Sequence, residues 1–154
     1  MENKSMFLSE AIVKLLNYRV EQEEYSSRVY LAMATWLFST GFTGAGKLFS
    51  NYSKEELVHT QKARNILAAN GVLPITAALS RPKIEFKNLQ EVIQLAYEHE
   101  IKITHQCNEL AKLTHTENNF MVVELGLWYS IEQVEELNKL QNFKDRLSAL
   151  IVSL

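Results

Sequence analysis

Six polar residues occupy positions where helical spacing would otherwise place apolar side chains. Four carboxylates buried at one depth would repel one another, and a buried carboxylate is costly unless it is neutralised or paired. No lysine or arginine is expected on the same stripes near them, so metal cations would supply the positive charge. Carboxylates with one imidazole and no nearby thiolate favour iron or manganese over structural zinc. The six residues are Glu23, Glu56, His59, Glu100, Gln133 and Glu136.

The spacing of these residues favours two metal ions. Glu56 and His59 are three residues apart, as are Gln133 and Glu136, and this spacing places each pair on one face of a helix. A single Glu-x-x-His motif is a weak signal. Combined with inward glutamates at matching depths on two other helices, it indicates a carboxylate-bridged site for two metals.

The elements that must position these residues are long helices. Five glycines and two prolines among 154 residues leave room for few turns. Apolar spacing predicts helix A over 7–40, helix B over 43–70, helix C from 88 or 89 to 114, and helix D from about 118 towards the C-terminus. The segment 71–88 is too long for a hairpin turn and predicts a crossover along a bundle. The sequence therefore predicts an all-α, single domain over 1–154.

Composition excludes several classes of function. A formal net charge of −2 gives no basic surface for nucleic acid. The longest nearly apolar run, 29–38, is about half the length that a membrane-spanning helix needs, so we expect no membrane partner. Cys107 is the single cysteine and has no partner for an internal disulfide, which suits a reducing compartment. We expect a cytoplasmic protein.

Four segments contain the candidate residues and their neighbours. They are EEYSSRVY at 23–30, EELVH at 55–59, YEHE at 97–100 and WYSIEQVEE at 128–136. Together these segments resemble those of prokaryotic non-haem ferritins. The resemblance extends over 7–147. It implies a ferritin-like antiparallel four-helix bundle with a long crossover between helices B and C.

The resemblance also implies a role for each candidate residue. Glu23, Glu56 and His59 would hold a first iron, with Glu56 bridging to a second iron held by Glu100. Gln133 and Glu136 would lie close by. The family has a tyrosine that hydrogen-bonds near this ferroxidase centre, and Tyr30 matches it. A third iron position would use Glu55, Glu132 and Glu135, with Glu136 shared, although the same glutamates could simply form a solvated face.

The function implied by the resemblance is iron storage. Two Fe(II) ions would be oxidised by O2 or H2O2, and the ferric product would be deposited as mineral inside a cage of 24 subunits. Helix D contains no histidine, which disfavours a second Glu-x-x-His motif. Leu57 stands where bacterioferritins carry a haem-binding methionine, so no haem is expected.

One departure from typical ferritins leaves alternatives open. Eighteen residues follow Glu136, and helix D would use most of them, so the fifth helix of typical ferritins is expected to be absent or very short. The cage could then have open four-fold vertices, or the assembly could be smaller. A di-iron or di-manganese oxidase without mineral storage, and a purely structural bundle, are the competing hypotheses. His99, His105 and His115 are expected to be surface or capping residues.

Overall fold

A computed structural model of the chain describes residues 5–153, and these residues form four α-helices with no strand. The helices are α1 Glu10–Ser39, α2 Thr43–Ala69, α3 Leu89–Thr116 and α4 Phe120–Val152. The predicted all-α four-helix fold is confirmed. No fifth helix lies within 5–153, and none of the helices described there is long and apolar enough to cross a membrane. Residues 1–4 and 154 of the predicted domain lie outside the described residues.

Polar capping residues explain where the helices depart from their predicted ends. The Ser9 hydroxyl accepts a 3.1 Å hydrogen bond from the Ile12 amide, so α1 begins at residue 10 and not at 7. Asn118 has a φ of 53° and Asn119 caps α4, which therefore begins two residues later than predicted. Gly71, with a φ of 75°, follows α2 as the predicted left-handed stop.

The connections determine the order and direction of the helices. Residues 40–42 join α1 to α2 and residues 117–119 join α3 to α4, so each pair forms an antiparallel hairpin. Residues 70–88 contain no helix or strand and run back along the bundle, where the Ile75 amide donates a 2.9 Å hydrogen bond to the Asn17 side chain. As a result, α2 and α3 are parallel, and α1 packs on α3 while α2 packs on α4.

Two separate apolar clusters form the core, one towards each end of the bundle. The first contains Ile12, Leu16, Leu67, Leu110 and Val122 among its buried members. The second contains Leu37, Phe49, Val92, Ala96 and Leu140. Each cluster draws on all four helices. Because both ends are apolar, the polar residues at mid-helix meet in a layer between the clusters.

Candidate metal centre

The polar layer at mid-bundle contains the six residues of the predicted centre. Each of these side chains belongs to a residue that is 6% exposed or less. α1 contributes one residue, α2 contributes two, α3 contributes one and α4 contributes two. They are Glu23, Glu56, His59, Glu100, Gln133 and Glu136.

Three of these residues form a group that could hold one metal ion. Glu23, Glu56 and His59 each offer one ligand atom, and the three atoms lie within 4.8 Å of one another. Nδ1 of His59 lies 3.0 Å from Oε2 of Glu56 and 3.6 Å from Oε2 of Glu23. Oε2 of Glu23 is buried and has no hydrogen-bond partner among the described residues. A bound cation would satisfy this atom, so the donor set fits a metal.

A second group shares the imidazole of His59. Ligand atoms of His59, Glu132 and Glu136 also lie within 4.8 Å of one another, with 4.0 Å between Nε2 of His59 and Oε2 of Glu132. The two ring nitrogens thus face different groups. The predicted third iron position contained Glu132 and Glu136 but not this histidine. The other two residues of that prediction, Glu55 and Glu135, are exposed and lie outside both groups.

Glu100 lies in the same layer but in neither group, and hydrogen-bond donors contact both of its oxygens. The Tyr30 hydroxyl donates to Oε1, and Nε2 of Gln133 donates a 2.8 Å bond to Oε2. The same amide nitrogen also contacts the hydroxyl of Thr104 at 3.2 Å. The resemblance implied a tyrosine that hydrogen-bonds near the centre, and the structure places Tyr30 against Glu100.

Comparison with known proteins places this bundle in a family. A model of the ferritin-like domain matches residues 13–150. The chain belongs to the ferritin family. It is similar to a probable bacterial non-heme ferritin-like protein of Haemophilus influenzae, with 39% identity over 143 residues that cover 93% of this chain and 87% of that protein. A bacterial non-heme ferritin of Escherichia coli is 32% identical over 141 residues, covering 92% and 86% of the two chains.

Solved ferritin structures have the same fold as this chain. An open pore ferritin from Archaeoglobus fulgidus superposes with a TM-score of 0.89 at 29% identity, covering 93% of this chain and 87% of that one. A ferritin from Chlorobium tepidum superposes with a TM-score of 0.89 at 28% identity, covering 96% and 88%. The predicted ferritin-like bundle and the resemblance to prokaryotic non-haem ferritins are confirmed.

Burial makes part of the carboxylate layer of this ferritin hard to ionise. It raises the pKa of Glu56 well above the ordinary value, and the charge of Glu23 raises it further. Burial also raises the pKa of Glu100 to about 7, although its two hydrogen bonds act in the opposite direction. The pKa of Glu136 is raised by burial as well. Protons therefore remain on the layer near neutral pH, and a bound cation would have to displace them.

The pKa values of Glu23 and His59 are shifted in the directions that favour the charged forms of these side chains. Burial alone would raise the pKa of Glu23, but the neighbouring polar groups of His59 and Glu56 and the charge of Arg19 lower it. Burial alone would lower the pKa of His59, yet the nearby carboxylate of Glu23 raises it. Without a metal, these two side chains partly neutralise each other.

Two cationic side chains in this ferritin correct the expectation that none would lie near the carboxylates. Nη1 of Arg19 lies 2.9 Å from Oε1 of Glu23, and both residues are 1% exposed. Nζ of Lys139 lies 3.3 Å from Oε1 of Glu136 and 3.6 Å from Oε2 of Glu55. Each cation follows the face of its own helix, Arg19 four residues before Glu23 and Lys139 three residues after Glu136. That spacing was the signal in the sequence.

His99 corrects the expectation of a surface histidine. The ring lies in the wall of the bundle, where Nε2 contacts the Ser26 hydroxyl at 2.7 Å and the ring packs edge-on against Tyr30. Burial lowers the pKa of His99 to about 4. The residue is therefore a neutral structural group near the layer, and it belongs to neither ligand group.

Proposed function

We propose that this ferritin oxidises Fe(II) with O2 or H2O2 at the mid-bundle layer and stores the ferric product as mineral. Membership of the ferritin family supports iron storage and ferroxidase activity. The observation that carries the proposal is the convergence of four buried carboxylates and an imidazole, with a buried carboxylate oxygen left unpartnered. Iron is the substrate at this site.

Glu23, Glu56 and His59 would bind the first iron, which the geometry of their group supports. Glu56 would bridge to a second iron, with Glu100 as its ligand. Two neighbouring ions can each give one electron to an oxidant, and carboxylates stabilise the oxidised ions. Each oxygen of Glu100 accepts one hydrogen bond from a neighbouring side chain and keeps a lone pair that could bind iron.

The hydrogen bonds around Glu100 would position that carboxylate for the second iron. Tyr30 donates to one oxygen and Gln133 to the other, so the side chain has a defined orientation before iron arrives. Because both donors are buried, water does not compete with them. Gln133 and Glu136 would complete the surroundings of the second iron.

A third iron position would receive ferric product on its way to the mineral. We assign it to the glutamates Glu55, Glu132 and Glu135 with Glu136 shared, and the contact between His59 and Glu132 supports a connection to the first position. Lys139 now lies between Glu55 and Glu136, so iron would displace its ammonium group.

Storage requires self-association, for which we propose a cage of 24 subunits in the cytoplasm. The outer face of α1 and the crossover carry exposed apolar side chains, including Leu31, Ile75 and Ile84. A groove of about 920 Å³ separates the first half of α1 from the crossover. A second copy of the chain would cover this surface. Leu150 and Val152 at the end of α4 are exposed as well and offer another contact.

The decisive experiment is aerobic loading of the metal-free protein with excess Fe(II), followed by gel filtration. Iron far above about three ions per chain in a large particle is the expected result. About two ions per chain in a small particle would instead indicate a di-iron oxidase without storage. No retained iron and no oxidation would refute both. The variant E109Q, which changes an exposed glutamate of α3, should load like the wild type and is the matched control for variants of the buried glutamates.

A further inference from the structure

Arg19 is a cation buried inside the bundle, directly against the carboxylate layer. It is 1% exposed and lies on the face of α1 that packs against α3. Nη1 lies 2.9 Å from Oε1 of Glu23 and 3.4 Å from Sγ of Cys107, and Nη2 donates to the Gln106 side chain. Glu23 is the carboxylate paired with it.

The pair of Arg19 and Glu23 replaces apolar packing at this position of the bundle. The neighbouring inward residues of α1, Leu16 and Val20, are fully buried and apolar. Replacing a buried ion pair by well-packed apolar residues is often neutral or stabilising, because the desolvation cost of both charges disappears. A buried ion pair is therefore weak evidence for added stability, and the contact of Arg19 with a candidate metal ligand is the feature that indicates a role.

The two oxygens of Glu23 have different surroundings. Oε1 accepts the charged hydrogen bond from Arg19, whereas Oε2 has no hydrogen-bond partner and lies 3.6 Å from Nδ1 of His59. Charge-assisted hydrogen bonds are roughly twice as strong as neutral ones. The bond to Arg19 therefore resists rotation of the carboxylate towards a pose in which both oxygens face the metal.

We propose that Arg19 is a positioning residue of the metal centre, which holds Oε1 of Glu23 so that Oε2 alone serves as a ligand of the first metal ion. The inference rests on the proposed function. A carboxylate binds a metal through one oxygen or through both, and the second mode occupies an additional coordination position. By preventing that mode, Arg19 keeps a position on the first iron open for an exchangeable ligand.

The test compares variants of the full-length, metal-free protein. R19M removes the charge and the donor while keeping a long side chain, and R19K keeps a charged donor. R146M, which changes an exposed arginine of α4, is the matched control. Co(II) is the probe, since its visible absorption reports coordination number and weakens as that number rises. Circular dichroism establishes that each variant is folded.

In R19M, Glu23 is free to bind through both oxygens, so the first equivalent of Co(II) should absorb more weakly than in the wild type. Aerobic oxidation of Fe(II) should slow by about tenfold, because the ligand geometry is no longer held. R19K should restore the wild-type Co(II) spectrum and a rate within about threefold of wild type. R146M should match the wild type in both. A wild-type spectrum and rate in folded R19M would overturn the proposal.

R19Q decides the question if R19M does not fold. Its amide can still meet Gln106 but gives Glu23 only a neutral hydrogen bond, so the same changes should appear at a smaller size, with oxidation about threefold slower. Wild-type behaviour of R19Q in that case would overturn the role of Arg19. Failure of the wild-type protein itself to bind Co(II) and oxidise Fe(II) would refute the proposed function instead.

Discussion

The hydroxyl of Tyr129 donates a 2.6 Å hydrogen bond to the backbone carbonyl of His59. This bond joins α4 to α2 at the residue that both ligand groups share. Trp128, the preceding residue of α4, packs edge-on against the His59 ring with 5.2 Å between the ring centroids. α4 therefore holds His59 through its backbone and through its ring.

Y129F should loosen this support without creating a cavity. Loss of one buried hydrogen bond should lower the free energy of unfolding of the metal-free protein by about 1 kcal/mol. Because His59 would be held less firmly, the affinity for the first Co(II) ion should fall by about tenfold. Thermal unfolding and Co(II) titration measure the two effects. Y97F, on α3 outside the layer, is the control, and equal effects in both variants would contradict this assignment.

E56Q should separate activity from stability. The amide keeps the volume of Glu56 but loses the charge that would bridge two irons, so catalysed Fe(II) oxidation should be abolished. The metal-free protein should become more stable by about 1–3 kcal/mol, because a buried carboxylate is removed from its neighbours Glu23 and Glu100. Oxidation assays and thermal unfolding test this, with E109Q unchanged in both. A destabilised but active E56Q would be inconsistent with a metal-bridging role.

Glu100 should make the stability of the metal-free protein depend on pH. Its pKa is about 7 in the folded protein, against an ordinary value of 4.5. Its contribution to the free energy of unfolding is therefore fully present below pH 4.5 and is lost as the pH rises through 7. E100Q has no carboxyl group at this position, so its stability does not fall with pH for this reason. Between pH 4.5 and 8 the wild type should therefore lose on the order of 2–3 kcal/mol relative to E100Q. Denaturant unfolding at pH 5 and pH 8 measures it, and a difference independent of pH would contradict the prediction.

G126A should weaken the contact between α3 and α4. A Cβ at Gly126 would lie 2.9 Å from Cα of Ala111 and 3.2 Å from the hydroxyl oxygen of Thr114, and the backbone of α3 cannot yield cheaply. The expected loss of stability is about 1–3 kcal/mol. G44A on α2 is the matched control, since its Cβ would meet nothing within 4 Å. Thermal unfolding should show G44A at least as stable as wild type, because alanine has the higher helix propensity. Equal losses in the two variants would contradict the assignment of the loss to the close approach of α3 and α4.

Helical periodicity explains why the layer could be anticipated. Residues three and four apart share a face whatever the partner helix is, so Glu56 and His59, or Gln133 and Glu136, could be paired from spacing alone. The predicted helix ends differ from the observed ends by up to three residues. The start of α1 depends on the Ser9 cap, and the start of α4 depends on the left-handed conformation of Asn118.

The sequence by itself determined four long helices, the crossover and which polar side chains point inwards, because these features depend on local spacing and on turn residues. Only the tertiary structure decided that His59 meets Glu132 as well as Glu23, that Glu55 and Glu135 stay outside that group, and that His99 lies in the bundle wall. The physical reason is that such contacts depend on the rotation and depth of each helix against its neighbours, which the packing of both apolar clusters sets. The burial of Arg19 follows from the same packing, because α3 covers the face of α1 on which it lies.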